Sequence, residues 1–378
     1  MFASIPALQR SSQTYLTEAM GRVSRSFALV VPWIEEPLQT YTATSYLICR
    51  TLDNIEDCGQ PLAWQKVRFA EFGHLLGDPK LAPEMLSRWE AQPWPGLTSN
   101  EATLMTLVGG LPLWEIYAAF PDHIRSLMQR WILLMAQGME EALDPAQSTL
   151  LVQHEGIRLL ASVAAYNQYC YAVAGTVGGL GTELVIDHYG VSGAAAERLL
   201  AGSEACGRAL QKTNIIKDFV EDLDRKVCYL PDEWLRVINH TPLALSGAPM
   251  QWSYTVLQDV LSELRMAADY VLAVPTQAKG YRIACLLCLL PAYQTLIKAA
   301  QRHSQLFTHD HQIKIARETM LRCVHEAISM ATDDDAVLRR IQRLEQAVQQ
   351  AFDRLPVYSI NHSNSTASST RLPSGIVA

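Results

Sequence analysis

The stretch LQKTNIIKDFVEDLDRKVCYLPDEW, residues 210–234, decides how the rest of the chain is read. Asn214, Asp218 and Asp222 recur in it at steps of four, with Glu221 between the last two. Residues four apart on an α-helix lie one above the other, so the spacing predicts one stripe carrying an amide and two carboxylates. Ile215, Ile216, Phe219 and Val220 supply apolar faces beside it, which turns the stripe towards a core. Acids facing a core are costly unless paired or metal-bound, and oxygen-only ligands of this kind suit Mg²⁺. Taken alone, a pair of acids at this spacing reads more simply as a solvated face.

A second cluster changes the weighting. Asp53, Glu56 and Asp57 in ICRTLDNIEDC sit at i, i+3 and i+4 and close an apolar run from Tyr41 to Leu52. Two acidic clusters about 160 residues apart, each on an apolar helix, predict two walls of one cavity. Mg²⁺ ions held between them would bind a diphosphate.

The 378 residues are 49% hydrophobic and 18% charged with net charge −7, a globular composition that gives nucleic acid no basic surface. The start, MFASIPALQRSSQTYL, lacks a charged-then-apolar secretory pattern, and the apolar run 283–293 is too short to span a bilayer. A cytoplasmic protein without a transmembrane segment is expected. Its eight cysteines read as small core residues, and Cys285-x-x-Cys288 has no second pair to make a zinc site.

Helical spacing dominates and no sustained alternation calls for a sheet. Helices are expected at 13–23, 37–58, 62–76, 101–119, 123–143, 192–223, 255–275, 277–300, 311–330 and 333–353, with a long apolar segment at 147–182. Turn formers mark loops at 91–100 and 238–251. The expected architecture is a single all-α helical bundle around a central cavity, residues 1–358, with a disordered Ser/Thr/Asn-rich tail at 359–378. The small residues of YNQYCYAVAGTVGGLG (166–181) suit either close helix packing or a smooth ligand wall. Arg25, Arg50, Lys212 and Lys217 are either phosphate clamps or salt-bridge partners of the acids, and His309 and His311 read as a polar loop.

Four stretches in a fixed order carry a family resemblance: SRSF (24–27), YLICRTLDNIED (46–57), YCYAVAGTVG (169–178) and QKTNIIKDFVED (211–222). With them the chain resembles the squalene/phytoene synthases, head-to-head prenyltransferases of the all-α isoprenoid synthase fold, over roughly residues 20–350. QKTNII before the acids is more similar to the squalene synthase branch. The resemblance implies that two farnesyl diphosphates condense to presqualene diphosphate with Mg²⁺, followed by NADPH-dependent reduction to squalene. It implies metal ligands at Asp53, Glu56, Asp57, Asn214, Asp218 and Asp222, and a role for Tyr169 in the first half-reaction. Substrate contacts would come from Ser24, Arg25, Phe27, Tyr46, Arg50, Gln211 and Asn214. The NADPH phosphate would meet Lys314, with Arg317 assisting, and Lys217 replaces the arginine that usually precedes the second acid cluster.

Two departures stand out. RIACLLCLLP (282–291) is aliphatic where animal and fungal squalene synthases carry phenylalanines, and those enzymes' C-terminal membrane anchor is not seen. Peripheral membrane contact is still compatible with so greasy a substrate and product. The alternatives are a synthase that stops at presqualene diphosphate, a dehydrosqualene or phytoene synthase working without NADPH, or a non-catalytic binding member, which the intact acid clusters disfavour.

Overall fold

The helix that ends in the first acid cluster, Leu38–Asp57, buries Leu47, Ile48, Leu52 and Ile55. Along another line of the same helix, Thr42, Tyr46, Arg50, Asp53 and Asp57 stay half-buried. That division is the amphipathic pattern of a helix with one face in a core and another turned to a polar space. The second cluster closes the helix Ala194–Lys217, where Cys206, Leu210, Asn214 and Asp218 follow one another at steps of four and none is fully buried. Around this helix pack Thr176–Tyr189, Met250–Ala273 and Lys279–Gln301. The computed structural model describes residues 5–24, 26–144, 148–308 and 313–353. The tail expectation at 359–378, Arg25, His309 and His311 lie outside these residues.

The all-α expectation holds, with one addition. Part of the apolar segment 147–182 forms a hairpin of β1 (Leu151–His154) and β2 (Ile157–Leu160), and β3 (Val227–Pro231) pairs parallel to β2. The two-residue turn Glu155-Gly156 has positive φ at both positions (50° and 78°), the geometry that matches strand twist in a tight hairpin. Strands of four residues leave too little alternation to be told from a helix by pattern. The rest of the segment is helix Val163–Cys170, a wide π turn over Tyr171–Gly175, and helix Thr176–Tyr189, stopped by Gly190 at φ +61°.

Two further expectations are corrected. The helix expected over 192–223 breaks at Asp218 (φ −101°, ψ 11°) and resumes as Phe219–Asp224. Asp218 N still donates to Asn214 O at 2.7 Å and Asp222 N to Asp218 O at 3.0 Å, so the spacing of the acids survives the bend. The helix expected over 311–330 begins only at Arg317, and 313–316 carry no regular secondary structure.

The small residues of 166–181 serve helix packing. A Cβ on Gly178 would lie 2.1 Å from Ser203 O, and one on Gly179 2.4 Å from the Trp131 ring. On the facing helix a Cβ on Gly207 would lie 1.9 Å from Ala174 O. Lys212 likewise takes the structural option. It is buried, bridged to Asp259 (2.9 Å) and Glu263 (3.0 Å), with its ammonium 5.0 Å from the Tyr166 ring centre. Among the described residues, Val163–Tyr189 and Lys279–Gln301 are long and apolar enough to cross a bilayer by length and composition, and both are mostly buried. Lys279–Gln301 thus exceeds the short run expected at 283–293, as a core helix does.

Candidate active site

Both acid clusters stand at the C-terminal ends of their helices, and the fold brings those ends together. Arg225, just beyond the second cluster, reaches Asp57 of the first at 3.2 Å. Glu56 and Asp222 also lie within electrostatic reach of one another. Crowded acids in a poorly solvated space resist ionisation. Burial, with the neighbouring acid Asp57 adding to it, pushes the Glu56 carboxyl up to about 8. Burial pushes Asp53 up to about 7 against the pull of Arg50, and Asp222 up to about 7, reinforced by Asp218. Asp57 is also raised by burial, against Arg225 and Arg50.

Arg50 lies 3.7 Å from Asp53 and pairs closely with Glu101, which is itself fixed by a capping box with Thr98. Asn54 Nδ2 donates to Glu101 O at 2.9 Å, so the 98–105 segment braces the first cluster from behind. Lys217 pairs with Asp218 at 2.7 Å. Ser24 Oγ accepts from Phe27 N at 3.1 Å, and the Phe27 ring stacks on Tyr46 at 4.6 Å, which places this triplet against the half-buried line of the first helix. Tyr169 is buried and stacks on Tyr229 at 4.7 Å. Burial first, then the Glu56 charge, holds its hydroxyl protonated.

The structure therefore gathers Asp53, Glu56, Asp57, Asp218, Asp222, Arg50, Lys217 and Tyr169 at one place. Asn214 is exposed one turn below Asp218, and Gln211 is half-buried on the same helix. Lys314 and Arg317 stand on a separate exposed segment, where Lys298 Nζ donates to Lys314 O. Arg25 cannot be placed with its SRSF neighbours, being outside the described residues.

Three members of the site escaped the sequence reading. Arg225 and Tyr229 were within the opening stretch, where only the helical spacing was read. Arg158, on β2, is a cation facing Glu56 and Asp57, and it lines a small pocket with Tyr169 and Tyr229. The signal for it was the two-residue Glu155-Gly156 turn.

The donors at the meeting of the two clusters are all oxygens, and Glu56 Oε1 is buried without a hydrogen-bond partner. Among the described residues no three acid, His or Cys side chains converge into a ready-made metal cage. The oxygen donors and the unpartnered Glu56 Oε1 fit Mg²⁺, which binds through one or two carboxylates plus waters and substrate phosphates.

The sequence profile described as squalene/phytoene synthase matches residues 20–319. The squalene synthase ERG9 of Candida albicans is 28% identical over 219 residues, 57% of this chain and 44% of that protein. A bifunctional lycopene cyclase/phytoene synthase of Arthroderma gypseum is 43% identical over 83 residues, 21% of this chain and 14% of that protein. The matches thus span less than half the length of these relatives. The structure of TcSQS with a bound ligand superposes with a TM-score of 0.71 at 20% identity, covering 91% of this chain and 98% of that one, a likeness of fold. The chain belongs to the squalene/phytoene synthase family.

Proposed function

We propose that this protein is a squalene synthase, joining two farnesyl diphosphates head to head into presqualene diphosphate and reducing that to squalene with NADPH. The observation that carries the reading is the meeting of residues 53–57 with residues 218–222 across the Arg225–Asp57 pair, with carboxyls held near neutrality. Such a site gains by taking up cations together with a diphosphate. Asp53, Glu56, Asp57, Asn214, Asp218 and Asp222 would hold Mg²⁺, which when bound supplies the positive charge that makes diphosphate a good leaving group.

The chain's own groups do the rest. Arg50 and Arg225 present planar forks suited to phosphate oxygens once the acids have other partners. The Phe27–Tyr46 stack with Ser24, and Gln211 below the second cluster, orient the two substrates. Ionisation of one substrate leaves an allylic cation at its C1. The C2–C3 double bond of the other attacks it, and loss of a proton closes the cyclopropane. The departing diphosphate is the base that takes that proton. Tyr169, buried and keeping its own proton at Oη, would orient it, and the apolar walls keep out water that would quench the cation. Lys314 and Arg317, with Lys298 adjoining, offer exposed positive charge for a 2′-phosphate; NADPH, when bound, supplies the hydride. A cytoplasmic location with peripheral membrane contact suits the mostly buried apolar helices.

Replacing Asp57 or Asp222 by Asn should abolish diphosphate release from farnesyl diphosphate while leaving the circular dichroism spectrum unchanged. Full activity in either variant would sink the assignment. A second reading is favoured by the stretch 282–291, where Cys285, Cys288 and Pro291 are the half-buried residues and no aromatic ring appears. On that reading the reaction stops before reduction, at presqualene diphosphate, or runs to dehydrosqualene or phytoene without NADPH.

A further inference from the structure

The β1–β2 hairpin carries a positive charge to the acid clusters. Glu155-Gly156 turns the chain back into β2, where Arg158 N donates to Lys226 O at 2.9 Å, four residues beyond Asp222. Strand alternation turns Arg158 away from the face on which Ile157 and Leu159 are buried. The chain then enters the helix Val163–Cys170. Its start is fixed by Ser162 Oγ, which accepts from Ala165 N at 3.1 Å, and by Glu233, which accepts from Val163 N at 2.9 Å. Tyr169 lies in the last turn of that helix, so Arg158 and Tyr169 stand on one braced unit. With Tyr229 they line one small pocket. The Glu56 charge reaches all three residues, and the Asp57 charge reaches Arg158 and Tyr229.

The other cations of the site are already engaged. Arg50 is held by Asp53 and Glu101, Lys217 by Asp218, and Arg225 by Asp57. Arg158 belongs to no ion pair among the described residues, and its Nη1 donates to Leu143 O at 3.4 Å, a long hydrogen bond. A half-buried guanidinium with donors to spare gains most from an anion that accepts two of them together. A phosphate meeting Arg158 has no carboxylate to displace. The same charge works against a bare cation, because Mg²⁺ at Glu56 and Asp57 would face a charge of like sign.

We infer that Arg158 is a further binding residue of this reaction: it grips the diphosphate beside Tyr169 and makes Mg²⁺ uptake depend on that diphosphate. The inference rests on the proposed prenyl diphosphate substrate. As the C1–O bond of one farnesyl diphosphate breaks, its electron pair stays with the diphosphate, and Arg158 meets the added charge. Held there, the diphosphate keeps its place beside Tyr169 as the base for the proton lost on ring closure.

The test is calorimetric titration of the full chain with Mg²⁺ alone and with inorganic pyrophosphate in excess Mg²⁺, neither of which needs turnover. Arg158→Gln should weaken pyrophosphate binding at least about tenfold, while Mg²⁺ alone binds as tightly as in wild type or more tightly. Lost packing would weaken both. Arg158→Lys keeps the charge and a donor for Leu143 O, and should bind pyrophosphate within about threefold of wild type. Three results would each overturn the inference and leave the proposed reaction standing: a smaller loss in Arg158→Gln, weaker binding of Mg²⁺ alone in that variant, or a larger loss in Arg158→Lys. No binding of pyrophosphate by the wild-type protein with Mg²⁺ would overturn both.

Discussion

Withdrawing divalent metal across a range of pH probes the acid clusters most sharply. In the metal-free protein Asp53 and Asp222 titrate at about 7 and Glu56 at about 8, so near pH 7 the cluster holds roughly two protons. All three values are raised above those of the unfolded chain. The stability these groups contribute is therefore complete below about pH 4 and is lost as pH rises through about 7 to 8. A bound cation requires the ionised forms, so Mg²⁺ should expel roughly two protons at pH 7 and bind more tightly as pH rises. Titration calorimetry in two buffers of different ionisation heat counts the protons. Thermal melts with and without Mg²⁺ should show a stabilisation that is small at about pH 6 and clearly larger at about pH 8.5. No proton release at neutral pH, together with a metal-induced shift equal at both pH values, would refute the reasoning.

Other substitutions separate chemistry from packing. Tyr169→Phe keeps the stack on Tyr229 but removes the hydroxyl, and should slow presqualene diphosphate formation roughly a hundredfold; unchanged kinetics would remove Tyr169 from the reaction. Gly207→Ala forces a Cβ to within 1.9 Å of Ala174 O, and should cost about 1–3 kcal/mol in urea unfolding, which an unaltered midpoint would contradict. Lys314→Ala removes the charge proposed to meet the cofactor phosphate and should raise the KM for NADPH roughly tenfold, with diphosphate release from farnesyl diphosphate as the reference; an unaltered NADPH dependence would move the cofactor site elsewhere.

Both acid clusters were legible because their chemistry rides on helical spacing. Asp53 to Asp57 and Asn214 to Asp222 keep that spacing in space, even through the bend at Asp218, since the i to i+4 hydrogen bonds persist across it. What was illegible depended on partners distant in sequence. Gly178 reads the same whether it meets a ligand or Ser203 O, and only the docking of Ala194–Lys217 decides it. Arg158 and Tyr229 project from strands four and five residues long, whose alternation is too brief to register against the helical pattern around them. Their sheet adds a cation and a ring to the site that no helical periodicity could announce. Of the two options the sequence set apart for Arg50, the structure shows the salt bridge, to Asp53 and Glu101.

The most direct test is product analysis of the purified protein given farnesyl diphosphate and Mg²⁺, with and without NADPH. Squalene formed only in the presence of NADPH, and nothing formed when the metal is chelated, is the predicted result. Turnover that persists without divalent metal, or no product from any prenyl diphosphate, would contradict the claim that the two acid clusters act as one diphosphate site.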